Sequence, residues 1–187
     1  MKTFCLIVAT LVAPAVFAAP KNSQSEGDHF PEVIPGDGLP SLDLLNLTSA
    51  DLYDPNHGAR FGFDDSDDAV DNATEAAAGA GHCRTYFTRT PVSGARACRN
   101  YLAHVVGWKK CSLHKGKDGL WEATFCSSGD AVIVGGNPAD GAASDCRDVA
   151  FGVQWVINHC THDGKVRGQR AAAGNGNLIV GVTGKRR

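Results

Sequence analysis

The chain has no apolar run long enough to cross a membrane. The longest, residues 4–12, falls well short of the ~20 residues a helical span requires. It also lacks a Cys-x-x-Cys pair, which excludes a thioredoxin-like redox centre, and no two cysteines have the close spacing of a zinc knuckle. There is no Gly-x-Ser-x-Gly elbow: Ser128 sits in FCSSGD, with no glycine two residues before it. Gly174-Asn175-Gly176 leads into an apolar extended segment rather than a helix, so it marks a hairpin and not a phosphate cradle. The lysines and arginines are not interleaved with aromatic residues, and nucleic acid is not an expected partner. No cofactor and no metal is expected.

What is present begins with a leader. Lys2 precedes the apolar run, Pro14 breaks it, and Val16-Phe17-Ala18 ends in small residues. That layout is a signal peptide over residues 1–18, cut after Ala18, and it predicts a secreted, extracellular protein. Cys5 leaves with the leader. Six cysteines remain, Cys83, Cys98, Cys111, Cys126, Cys146 and Cys160. An even set in a small exported domain predicts three disulfides.

The formal charge of −2 hides a division. Residues 19–80 carry thirteen acids against Lys21 and Arg60, a net of −11, while residues 81–187 carry a net of +8. Serine, glycine, proline and aspartate dominate the acidic part, which is expected to be a disordered pro-region or linker outside the folded core. Its one apolar cluster, residues 42–47, suggests a short helix starting at Ser41, too short to be stable alone. The aspartate run at residues 64–71 lacks the central glycine and terminal glutamate of an EF-hand loop and is expected to be a solvated linker. Asn46 and Asn72 open glycosylation sequons.

From Gly81 the pattern becomes that of a domain. Residues 83–90 are β-branched and aromatic, a first strand. Ser93 is expected to cap a helix in which Ala97, Tyr101, His104/Val105 and Trp108 share a face, closed by Gly107. A short strand follows at residues 110–114, a turn at 115–119, and a strand from Leu120 to Cys126. AVIVG then continues an extended run, either as one bulged strand or as a second one. Ser144 or Asp145 caps a second helix from Cys146 to about His159, with Cys146, Val149/Ala150, Val153, Val156/Ile157 and Cys160 on one face. Cys146 and Cys160 lie ~21 Å apart along that helix and cannot pair with each other, which leaves twelve of fifteen pairings open. KVRGQRAA and NLIVGV form the closing strands, joined by a hairpin at Asn175-Gly176. The order β-α-β-β-α-β-β predicts an α+β, two-layer sandwich: an antiparallel sheet of about five strands with two helices on one face.

Seven histidines invite a catalytic assignment, and most have a plainer explanation. His29 and His57 lie in the acidic segment, His82 adjoins Cys83, and His104 is expected to be packed in the core. His159 suits the negative end of the second helix, while His114 and His162 are loop residues. The best enzymatic set is Glu122 and His114 with Arg167 or Arg170, which would serve as base, acid and phosphate clamp of a ribonuclease. A plainer use of the basic residues is a binding face of Lys109, Lys110, Lys115, Lys117, Arg167 and Arg170 for an anionic surface or a membrane protein.

The blocks ACRNYLAHVVGW, WEATFCSSGDAVIVG, DCRDVAFGVQWVINHC and GKVRGQRAAAGNGNLIVGV resemble small cysteine-rich proteins secreted by filamentous fungi. Those include the killer-toxin-like proteins and the related necrosis-inducing effectors of plant pathogens. The resemblance covers about residues 82–183 and rests on a cysteine opening each helix, an aromatic-rich second helix, and a closing Gly-x-Gly-Asn-Leu-x-Val strand. It implies an antiparallel sheet carrying two helices, and a non-enzymatic toxin or virulence factor acting outside the producing cell. The chain departs from that group in its six mature cysteines and its acidic extension, so no functional residue is carried over. The expected function is therefore a monomeric, secreted toxin-like or effector protein that binds an extracellular or host target. A small secreted hydrolase and a wall-associated binding module are the alternatives.

Overall fold

The computed structural model describes residues 30–54, 81–83, 88–137, 141–174 and 177–185. The fold is α+β, as the order of elements predicts. Its main sheet is antiparallel and built on the path β1 (Val33–Pro35), β5 (Trp121–Ser128), β6 (Ala131–Asn137), β11 (Ile179–Gly184) and β10 (Gly168–Ala171). A sixth strand, β4 (His114–Lys115), shares the outer edge of β5 with β1: it pairs with Trp121 and Glu122, while β1 pairs with Cys126 to Ser128. Small ladders complete the molecule. β2 (Thr90–Pro91), β9 (Lys165–Val166) and β8 (Thr161–His162) form one; β3 (Lys110–Ser112) and β7 (Ala143–Asp145) form the other.

The segment left open by the sequence is two strands. β5 and β6 meet in a two-residue turn at Gly129-Asp130, with Gly129 at φ +56° in the first central position, where a II′ hairpin requires a residue tolerant of positive φ. A bulge at Phe125 interrupts the register between Thr124 and Cys126. The helix-side row then continues as Ala123, Cys126 and Ser128 opposite Gly135, Ile133 and Ala131.

Two longer helices cover one face of this sheet. α2 (Val92–Asn100) lies against β5 and β6, with Gly94 seated close to Ser128 and Ala131. α3 (Cys146–Cys160) lies against β10 and β11, with Gly152 against Val180. Between helices and sheet sits the core, which includes Ala97, Leu102, Val106, Ile133, Val149, Val153, Val156, Val180 and Val182, all fully buried.

The first long helix departs from expectation at both ends. Pro91, not Ser93, occupies the N-cap, which suits a residue with no N–H to satisfy. At Tyr101–Val105 the helix widens into a π turn, in which the Val106 N–H reaches the Tyr101 carbonyl. One extra residue rotates everything beyond it by about 100°. Tyr101 stays buried and Val106 takes the inner position, while Trp108 swings out to 74% exposure. His104 lies in the wide turn and is half-buried. The expected strand at residues 110–114 is divided, with Lys110–Ser112 pairing β7 and His114–Lys115 pairing β5. Of the expected strand at residues 83–90, positions 84–87 lie outside the described residues, as does the hairpin at Asn175-Gly176.

All six cysteines pair: Cys83–Cys160, Cys98–Cys126 and Cys111–Cys146. Cys146 and Cys160 do not pair with each other, as their separation along the helix requires, and each pins one end of α3 to a different partner. At its C-terminus His159 Nδ1 contacts the Trp155 carbonyl at 2.9 Å, and the two rings stack. The orphan carbonyl of Ile157 is met instead by the Thr161 hydroxyl at 2.6 Å.

The acidic segment requires a correction. Residues 30–54 are not outside the core but form a strap across α2 and the outer edge of β5. Besides β1 the strap contains a 3₁₀ turn at Asp43–Leu45 and a short helix α1 (Ser49–Tyr53). Its sparse apolar residues are spaced to reach inward, and Val33, Leu42 and Leu52 are buried in the common core. The sequence suggested disorder because the segment cannot fold alone; it is ordered by a surface supplied elsewhere. Residues 19–29 and 55–80, with Asn72 and the aspartate run, lie outside the described residues.

Two outcomes test this packing. A Cβ on Gly135 would stand 2.5 Å from the Phe125 ring and 2.9 Å from Leu113, whereas one on Gly136 meets nothing nearer than 3.9 Å. Gly135→Val should therefore cost about 1–3 kcal/mol by overpacking, and Gly136→Val next to nothing, in urea unfolding. Asp148, on the first turn of α3, has its carboxyl raised above the usual range, first by burial and then by Asp145, against the opposing pull of Lys110 and Arg147. Folding thus favours its protonated form, and that contribution is lost as pH rises through the raised pKa. Asp148→Asn should stabilise the protein at pH 7, with the gain vanishing near pH 3.

Candidate functional site

Strand periodicity sends alternate residues of the sheet away from the helices. On that open face the cross-strand register assembles three rows. Glu122, Gly136 and Ile179 form the first; Thr124, Val134, Gly181 and Gln169 the second; Ile34, Ser127, Val132 and Thr183 the third. The rows line a shallow groove of about 1260 Å³, rimmed by Asp37, Thr88, His114, Lys115, Leu120 and Lys185.

Its floor is uneven in a defined way. Gly136 and Gly181 present no side chain, so the centre is low, and the β-branched side chains of Val132, Val134 and Ile179 stand beside them. Ile34, on the strap's strand, closes one side and is 47% exposed. Hydroxyls of Thr124, Ser127 and Thr183 lie among these apolar groups. The charges sit at the edges: His114, Lys115 and Glu122 where β4 meets β5, Lys185 at the far end of β11, and Asp37 on the side closed by the strap. The arrangement offers apolar contact and hydrogen-bond partners along its length and charged groups only at its rim.

The proposed ribonuclease set is not assembled. His114 and Glu122 are direct cross-strand partners, both exposed. Arg170 belongs to the row of Val180, Gly135 and Ala123, which faces the helices. It is 7% exposed, with its guanidinium 4.9 Å over the Trp155 ring. Four strands lie across the sheet from Glu122 to Arg170, about 14 Å at ordinary strand spacing, and the two side chains leave opposite faces. Arg167, between β9 and β10, is half-buried outside the groove's lining.

The six-residue basic face is likewise divided. Lys109 lies over the Trp108 ring at 4.7 Å, and Lys110 pairs with Asp145 at 2.8 Å. Lys115 ends β4, Lys117 lies in the turn between β4 and β5, Arg167 lies beyond β9, and Arg170 is inside the molecule. Arg170, being buried, is therefore not part of a surface face. The Asn46 sequon fares better. Asn46 is exposed in the left-handed region, at φ +52°, which asparagine tolerates, and Thr48 closes a capping box with Asp51.

Sequence reasoning missed the groove. AVIVGGN is apolar at both alternations, and such runs ordinarily mark strands covered on both faces. Here only the Ala131, Ile133 and Gly135 side is covered, and the available signal was that Val132 and Val134 have no third layer to pack against.

Among the described residues no three His, Cys, Asp or Glu side chains are grouped to hold a metal ion, and no helix is long and apolar enough to cross a membrane. Neither the curated proteins nor the solved structures contain a match to the chain. Residues 78–184 match a family described as a domain of unknown function, DUF8794. That span begins just before the bridge of His82 to Gln169 and ends with the last residue of β11, so it takes in both long helices, the three disulfides and every strand but β1. By this match over more than half of its length, the chain belongs to the DUF8794 family.

Proposed function

We propose that this chain is a secreted, disulfide-stapled binding protein of the toxin-like or virulence-effector kind, which engages an extracellular or host target with the open face of its sheet. The observation that carries this is the groove itself. It is a concave, largely apolar surface on a rigid sheet, with hydrogen-bonding groups distributed along it. Sites of that composition bind, since apolar area supplies affinity and a few polar groups supply orientation. Hydrolysis needs an acid, a base and a charge-stabilising group converging on one atom, and the sheet register separates Arg170 from His114 and Glu122.

The leader, the three disulfides and the acidic extension support export and action outside the producing cell. A soluble monomer meeting its target directly fits a groove this shallow. The hydrolase remains the second reading because His114 and Glu122 do stand side by side at one end of the groove.

Both are decided by applying the purified protein to candidate host and competitor cells beside an inert disulfide-bonded control. Gly136→Arg, whose Cβ has room, places a long side chain on the groove floor and should reduce activity at least tenfold with the fold intact. His114→Ala and Glu122→Ala should each leave it within about threefold. A loss of ~10²–10⁴ in either alanine variant, with Gly136→Arg silent, would replace binding by acid–base catalysis.

A further inference from the structure

The strap at residues 30–54 lies outside the span matched by the family and carries none of the six cysteines. No covalent bond other than the main chain through residues 55–80 ties it to the domain. Its grip is nonetheless extensive and of a recognisable kind. β1 extends the sheet at the bulged end of β5, pairing Val33, Ile34 and Pro35 with Ser128, Ser127 and Cys126, and the Gly36 N–H adds a bond to the Phe125 carbonyl at 2.9 Å. Strand addition to a sheet edge is a standard way to hold a peptide.

The remaining contacts come from the last residue of α2, the π turn that follows it and the end of β5. Tyr101 donates its hydroxyl to the Pro40 carbonyl at 2.6 Å, and the Asn100 amide donates to the Leu52 carbonyl at 2.9 Å. Ser128 donates to the Pro31 carbonyl at 3.2 Å, leaving Tyr53 to donate to Ser128 at 2.6 Å. Each of these is a domain side chain reading a strap main-chain carbonyl or a strap hydroxyl, and all three domain residues, Asn100, Tyr101 and Ser128, are themselves buried. Burial also pushes the Tyr101 hydroxyl well above its ordinary pKa, so it stays a donor. Three apolar anchors complete the fit, Val33, Leu42 and Leu52, of which Leu52 has no exposed surface at all.

We propose that this face of the domain, the outer edge of β5 together with α2, is a peptide-docking channel, and that residues 30–54 are its ligand, held in cis. The class of peptide it takes is a short strand, a turn and one helical turn, with apolar anchors at the spacing of Val33, Leu42 and Leu52. Cleavage anywhere in residues 55–80 leaves a two-chain molecule held by the channel alone, and the channel accepts the same peptide in trans.

The test uses the full chain with a protease recognition sequence inserted between residues 72 and 73. After cutting, the two pieces should co-elute from a sizing column under native conditions and separate under denaturing, non-reducing ones. Excess fluorescent peptide of residues 30–54, added to the cut protein, should then become domain-bound. Tyr101→Phe, which keeps the ring and removes the bond to Pro40, should speed that exchange about fivefold, the effect of one ordinary hydrogen bond. Loss of the strap on cutting, or unfolding of the domain, overturns the proposal. So does a strap that stays bound yet never exchanges, which would make it an integral part of the fold. An uncut chain that elutes as a dimer, with its strap crosslinked to a second copy, overturns the assignment in cis.

Discussion

The structure hangs on strand β5, and on the Cys98–Cys126 bond that fixes α2 to it. Cys126 follows the bulge at Phe125, which resets the alternation so that Cys126 and Ser128 face the helix layer. Without that reset the sulfur would point into the groove and α2 would have no anchor on the sheet. The same strand accepts β6 along its inner edge and divides its outer edge between β4 and β1. Groove and channel are thus two sides of one element: its open face lines the first, and its outer edge begins the second.

The other two bridges act on α3. Cys111–Cys146 holds its first turn to β3, and Cys83–Cys160 holds its last turn to the segment beside β10. Each loop, closed over 28 to 77 residues, would contribute about 4 kcal/mol singly by chain entropy, though the loops overlap and do not add. A sheet with one bare face buries less apolar surface than a three-layer fold of the same length. Covalent closure offsets that deficit and lets Val132, Val134 and Ile179 stand uncovered.

Polar residues show the same economy of position. Arg170 lies on the edge strand, where a cation usually reaches solvent, yet it stacks on Trp155, which in turn stacks on His159. The guanidinium covers an aromatic surface that the short strands around it leave open. A residue counted toward a binding face by its charge therefore belongs to the packing of α3.

The sequence by itself determined the fold class, the second long helix and the inward side of that helix. Those features follow from local periodicity, and α3 is long enough for its 3-4 pattern to admit one solution. It also determined that the cysteines form bridges, and barred Cys146 from Cys160, because helical rise alone sets their separation. Tertiary structure decided the rest. The π turn after Asn100 leaves no mark in composition, yet it turns Trp108 from the core to solvent. Register placed Arg170 and Glu122 on opposite faces, a matter of counting across four strands that no single strand contains. The strap was illegible for the plainest reason: Val33, Leu42 and Leu52 are too few to make a core, and they are buried only because α2 and β5 supply the rest of it.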